Sequence, residues 1–231
     1  MEHSTSTDMV PAGFEIPRGE PGPFAACVLL VDCSSSMQMN GAIDEVNRAM
    51  KQFAVEVNED ELARNRADIA VVALQEPGLR VEVPPTLARD FRPPTFTAQG
   101  ATPMGGAIQL GLDTIEARRA EYRSRGAKAY ASMMFLITDG EPTDNFAQPA
   151  QEAQAMEARG KLNFFCIGTE EANFETLARI SPDGREPARL VAGRFRELFK
   201  WISDSLTVTA NSIPGEKPPL PPAQGWMSVQ T

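Results

Sequence analysis

Residues 24–31, FAACVLLV, are apolar without a break, and the run CVLLV at 27–31 shows no alternation with polar residues. A strand with one wet face alternates. A short continuous run bounded by polar residues fits a strand covered on both faces, as in a parallel sheet flanked by helices. DIAVVALQ (68–75), MMFLIT (133–138) and FFCIG (164–168) read the same way. Between these runs the apolar period changes to three and four. Ile43, Val46, Met50, Phe53 and Val57 predict one helix, and ATPMGGAIQLGLDTIEARRAEY predicts another beginning near Pro103. A polar helix is expected over QPAQEAQAMEARG, a short one near FETLARI, a brief strand at RLV, and a last helix with Phe195, Leu198, Ile202 and Leu206 on one face. LRVEV (79–83) alternates after the turn EPG (76–78), which predicts an antiparallel edge strand ended by Pro84 and Pro85. This β-α alternation specifies an α/β fold, a doubly wound, mostly parallel sheet with helices on both faces.

The ends differ from the middle. Residues 1–23 are polar with scattered Pro and Gly and are expected to form a flexible N-terminal tail, leaving 24–211 as the domain and 212–231 as a Pro-rich C-terminal tail. That tail, containing IPGEKPPLPPAQGW, is expected to be a poorly packed, polyproline-like strap. Trp226 is out of place in a loose tail and is a candidate for docking on the domain or on a partner.

Charge and cysteine usage narrow the function. A formal net charge of -9 argues against a nucleic-acid surface, which needs a concentrated basic patch. Cys27, Cys33 and Cys166 form no CxxC pair and read as reduced core residues. MEHSTSTDMV has neither a basic start nor an apolar h-region, and no apolar run approaches the ~18 residues of a membrane span. The expectation is a cytoplasmic protein with no membrane contact.

The chemistry lies where the strands end. DCSSSM (32–37) follows the first strand, Thr102 ends the long connection before the second long helix, and Asp139-Gly140 follows MMFLIT. In open α/β sheets ligands bind in the loops at the carboxyl ends of strands. Asp32, Ser34, Ser36, Thr102 and Asp139 offer two carboxylates and three hydroxyls, all hard oxygen donors. Magnesium suits such a set, because it takes six oxygens at roughly 2.0–2.1 Å and keeps several waters. Each position also has a plain reading. Asp32 with its serines can be a helix-entry loop, Thr102-Pro103 an N-cap with Pro at the first helical position, and Asp139-Gly140 a turn. Glu141 and Asp144 read as solvated loop residues. Ser35 reads as a turn residue and Cys33 as facing the core. His3, the single histidine, lies in the N-terminal tail.

DCSSS matches the D-x-S-x-S motif of von Willebrand factor type A domains, and Thr102 and Asp139 match the family's two other metal-ligand positions. The chain thus resembles that family over roughly residues 24–211. TAQGATPMGGAI, FLITDGEPTDN, GRFRELFKWISDSL and the ending IPGEKPPLPPAQGW are similar to the stand-alone bacterial A-domain proteins of the tellurite-resistance (Ter) type. The resemblance implies sheet order 3-2-1-4-5-6 and a metal-ion-dependent adhesion site at Asp32, Ser34, Ser36, Thr102 and Asp139. It implies magnesium, manganese or calcium as the ion, and a protein partner whose acidic side chain completes the shell. A stress-response setting with a serine/threonine kinase and a metal-dependent phosphatase follows from the same likeness. The leading expectation is therefore a binding adaptor, not an enzyme. A magnesium-dependent phosphatase or hydrolase is the competing class, but position 34 is Ser where a second acid would stand, and there is no P-loop. A scaffold with a purely stabilising ion is the third.

Overall fold

The computed structural model describes residues 23–39, 41–215, 218–223 and 225–228. The tail expected over 1–23, with His3, therefore lies outside the described residues except for Pro23. In chain order the elements are β1 (Ala25–Asp32), α1 (Ser35–Met39), α2 (Ala42–Glu56), α3 (Glu61–Arg66), β2 (Ala67–Leu74) and β3 (Arg80–Leu87). After these come α4 (Met104–Ser124), β4 (Ser132–Thr138), α5 (Ala147–Ala158), β5 (Leu162–Gly168), α6 (Phe174–Ile180), β6 (Ala188–Arg189) and α7 (Phe195–Ala210). The six strands form one sheet in the order β3-β2-β1-β4-β5-β6. Only the β2–β3 pairing is antiparallel. The fold class and strand order are those expected from the sequence.

All eight residues of β1 are buried, and its pleat explains why a continuous apolar run is needed. Cys27, Leu29 and Val31 point into a core shared with α2 and α7, where Ile43, Val46, Phe53, Leu198 and Ile202 meet them. Val28 and Leu30 point the other way, to Ile108, Leu112 and Ile115 of α4. Successive side chains on a strand face opposite sides, so each core claims every second residue. Gly111 belongs to the second layer: a Cβ there would lie 2.9 Å from Met134 Sδ and 3.0 Å from Leu30 Cδ2, so the bare backbone lets α4 settle on the sheet.

Several local expectations are corrected. β3 does not stop at Pro84 but runs through both prolines to Leu87. It is the edge strand, and its register against β2 shifts between Ile69↔Thr86 and Val71↔Val83, so the prolines sit in a bulge where the ladder needs no donor from them. The helices α1 and α3 are too short for a periodic pattern to reveal. α3 starts at an Asp60 cap, whose Oδ1 accepts from Ala63 N at 2.7 Å. The C-terminal end of α7 is also held, since Arg66 Nη1 and Tyr130 Oη donate to Ala210 O at 2.9 and 3.0 Å.

The C-terminal strap is packed rather than loose. Trp226 is 2% exposed and joins the α7-side core. Its ring lies 5.3 Å from that of Trp201, and Val191 N donates to Trp226 O at 2.8 Å. Burial of a large indole outweighs the polar, Pro-rich composition that suggested a free tail.

Candidate metal centre

Three loops at the carboxyl edge of the sheet are laced together by backbone bonds. Gln99 N donates to Cys33 O at 2.7 Å, Ser35 N to Gly100 O at 3.1 Å, and Thr143 N to Thr102 O at 3.0 Å. Thr169 N reaches back to Thr138 O at 3.0 Å, which adds the end of β5 to the same rim. The loops are thereby held in place by main chain.

On this frame Asp32, Ser34, Ser36, Thr102 and Asp139 converge. Ser36 Oγ donates to Asp139 Oδ1 at 2.7 Å, and the Ser34 and Ser36 hydroxyls are 2.9 Å apart. Asp32 Oδ1 accepts from Ser34 N at 2.8 Å. A Cβ built on Gly140 would stand 3.0 Å from Thr102 Oγ1 and 3.5 Å from Asp32 Oδ2, so both oxygens border one spot. The bare backbone at 140 keeps that spot open. Ser34, Thr102 and Asp139 are buried, Ser36 is half-buried, and Asp32 is fully buried at 0% exposure.

A sixth residue was not singled out in the sequence. Thr138 Oγ1 donates to Asp32 Oδ2 at 2.5 Å. The signal was a threonine closing an otherwise apolar strand. The β1–β4 register, with Val31 opposite Ile137, brings the next pair, Asp32 and Thr138, side by side. Burial is the largest influence on Asp32 and pushes its carboxyl above the ordinary range; the Thr138 and Ser34 hydrogen bonds oppose this, and the Asp139 charge adds to it. No protein cation contributes. A buried carboxylate next to a second carboxylate, with neutral donors only, is an arrangement that a divalent cation would stabilise.

The donor set fits a hard cation and no soft one. Among the described residues no group of three or more His, Cys, Asp or Glu side chains is placed to hold a metal ion, so a site here must use hydroxyls. Cys33 is buried, its Sγ donating to Val31 O at 3.4 Å, and burial pushes its thiol upward. It faces the core, as expected.

Three residues of the rim differ from expectation. Thr102 is not a side-chain cap of α4: the N-cap position is Pro103, and no side-chain cap bond is made there. Asp144, read as a solvated loop residue, does that work from across the rim. Its Oδ1 and Oδ2 accept from Gly105 N at 2.8 Å and Gly106 N at 2.7 Å. The backbone at Asn145 comes so close that a Cβ on Gly105 would lie 2.3 Å from Asn145 O, which explains the glycine at 105. Ser35 opens α1 instead of forming a simple turn. Glu141 is exposed and accepts from Asn173 Nδ2 at 2.5 Å.

No curated protein matches the chain in sequence. Solved structures do match in fold. The pilus adhesin SpaC of Lactobacillus rhamnosus GG in its open conformation is 17% identical, with a TM-score of 0.62, over 81% of this chain and 30% of that one. A von Willebrand factor type A protein from Catenulispora acidiphila is 18% identical, with a TM-score of 0.52, over 81% of this chain and 43% of that one. The manganese-loaded TRAP protein of Plasmodium vivax is 18% identical, with a TM-score of 0.51, over 76% of this chain and 71% of that one. The chain spans less than half the length of the first two. Such identities speak to fold alone. The family model for the von Willebrand factor type A domain matches residues 27–200, a stretch that includes all five converging side chains and most of the described sheet. The chain belongs to the von Willebrand factor type A domain family.

Proposed function

We propose that this protein is a binding module that docks an acidic side chain of a partner protein through a divalent cation held by Asp32, Ser34, Ser36, Thr102 and Asp139. The observation that carries this reading is Asp32: a carboxylate at 0% exposure with hydroxyl and amide donors around it and no protein cation. When bound, magnesium, manganese or calcium would supply the missing positive charge and open coordination positions for a partner's carboxylate. A manganese-loaded relative of the same fold is consistent with that chemistry.

The chain's own residues have distinct parts in it. Asp32 and Asp139 supply charge, Ser34, Ser36 and Thr102 supply neutral donors, and Thr138 with the Ser34 amide fixes the Asp32 carboxylate. Binding rather than turnover is favoured by the makeup of the rim. Among the described residues it holds no histidine, and the single histidine of the chain, His3, lies outside them. The likeness to Ter-type bacterial proteins extends the proposal to a cytoplasmic stress-response adaptor that works with a protein kinase or a metal-dependent phosphatase.

Titration calorimetry with magnesium and manganese, on wild type and Asp32→Ala, tests the ion. Equal affinity in both proteins would sink the assignment. Pull-downs with magnesium and with chelator test the partner. The expected result is at least one protein that is lost both with chelator and in Asp32→Ala. Phosphoester cleavage that vanishes in Asp32→Asn would replace the adaptor by a hydrolase.

A further inference from the structure

The second unusual surface lies at the β6 edge of the sheet. The C-terminal segment returns there and makes an isolated antiparallel bridge with it. Leu190 and Met227 form an antiparallel bridge, Val191 N donates to Trp226 O at 2.8 Å, and Ser228 N donates to Arg189 O at 3.0 Å. The side chains alternate as in a strand, with Trp226 2% exposed and Met227 38% exposed. Trp226 packs on Trp201, which is itself edge-on to Phe165 and Phe135 at 5.3 and 6.0 Å. The Pro-rich approach is fixed by one bond, Trp201 Nε1 to Pro221 O at 2.7 Å.

Three observations mark this segment as a resident that can leave. The sheet and its helices are complete by Ala210, so the strap covers a finished domain. The Trp226 indole N–H is buried without an acceptor, a cost that offsets part of the ring's burial. A groove of about 360 Å³ remains beside Pro221 and Pro222, walled by Glu56, Arg196, Lys200 and Asp204. The fit is good enough to hold the strap and leaves room for a better ligand.

We propose that the β6 edge and the Trp201 face of α7 form a strand-addition docking site, with the chain's own tail as its built-in competitor. The partner it fits is an extended segment of another protein with a Pro-rich approach and a large aromatic that enters beside Trp201. Main-chain bonds to 189–191 supply affinity in such a site, and the aromatic pocket supplies selectivity. The tethered tail acts at an effective concentration on the order of millimolar, so an incoming segment binds only when it fits better or when the tail is released. This site requires no metal.

The probe is a fluorescent peptide of residues 218–228, added to full-length wild type and to full-length Trp226→Ala. The expected result is saturable binding to Trp226→Ala, at least ten-fold tighter than to wild type, and lost when the peptide's own tryptophan is replaced by Ala. Hydrogen exchange is the second readout. The Val191 amide should exchange at least ten-fold faster in Trp226→Ala while amides of β1 and β4 stay protected. If Trp226→Ala disturbs the fold, Ser228→Pro keeps the indole and removes one edge bond, and it should still speed Val191 exchange and strengthen peptide binding. Peptide binding that is absent from, or equal in, wild type and the released variants overturns the proposal. So does a Val191 amide as slow in wild type as those of β1.

Discussion

Two aspartates are buried at opposite ends of the sheet, and they differ in what neutralises them. Asp68, at the amino end of β2, is 1% exposed and meets Arg118 of α4, itself 3% exposed. Arg118 Nε donates to Asp68 Oδ2 at 2.5 Å and Tyr122 Oη to the same oxygen at 2.8 Å. Burial is the largest single influence on Arg118 and works against its charge, but Asp68, Tyr122 and Glu121 together hold the guanidinium ionised; burial still pushes the Asp68 carboxyl above the ordinary range, with Arg118 and Tyr122 opposing it. Asp32, at the carboxyl end of β1, has equal burial and good hydrogen bonds but no guanidinium. The lesson is that one carboxylate is matched by a cation of the fold itself, while the other, on the proposed reading, is left for a cation from outside the chain. Burial alone does not separate the two roles. The identity of the counter-charge does.

The comparison can be broken most sharply at Arg118. Arg118→Ala leaves Asp68 buried and unpaired and should cost about 3–5 kcal/mol in urea denaturation. Asp32→Asn, measured without metal, should stay within about 1 kcal/mol of wild type, because it removes a buried charge beside Asp139 and leaves no orphaned cation. If the two substitutions cost the same, the proposed division of roles fails.

Metal addition comes next in size. At a hundred-fold excess over its dissociation constant, magnesium or manganese should stabilise wild type by about 2.7 kcal/mol. The same ion should not shift the melting of Asp32→Asn, while Arg118→Lys should keep the full metal response from a lower baseline.

The pH dependence is smaller and has a definite sign. With the folded Asp32 carboxyl above its unfolded value of about 3.9, the folded state holds its proton more tightly. Metal-free stability should therefore fall as pH rises from about 4 through the raised folded value. Asp32→Asn should show a shallower fall, and so should wild type with saturating metal. Identical pH profiles of wild type and Asp32→Asn in chelator would show that Asp32 does not contribute.

The smallest contrast is within the rim. Asp144→Ala removes two bonds to the first turn of α4 and should cost about 0.5–2 kcal/mol. Thr102→Ala removes no side-chain cap and should cost less metal-free stability than Asp144→Ala, while weakening metal-dependent partner binding. Chemical denaturation and the chelator-controlled pull-down separate these effects.

Much of this arrangement was legible before any coordinates. The pleat of β1 demands apolar residues on both faces, so CVLLV announced a central strand, and period changes fixed the helices between the strands. The candidate oxygens stood out because Asp32, Ser34, Ser36 and Asp139 lie at or just after strand ends, with Thr102 closing the connection into α4. What stayed hidden depends on contacts distant in sequence. Asp144 caps a helix about forty residues earlier in the chain, and only the meeting of two loops reveals it. Thr138 became visible only through the β1–β4 register. The bulge that tolerates Pro84 and Pro85 is a property of pairing with β2, not of the prolines. Trp226 was conspicuous, but the sequence alone offered no means of locating Trp201 as its partner.

The direction of β1 has a practical consequence. The chain enters β1 at Phe24, which pairs with Ala129, and reaches the oxygen-rich rim eight residues later at Asp32. At about 3.3 Å per residue that is a separation on the order of 25 Å, with the sheet between. A carrier attached at residue 23 itself would thus sit at the far pole and present the rim outward. An attachment after residue 228 instead leaves from the β6 edge and pulls on the bond between Val191 and Trp226. Immobilisation through the amino-terminal side should preserve both faces for capture experiments, whereas a carboxy-terminal tether loads the strap itself.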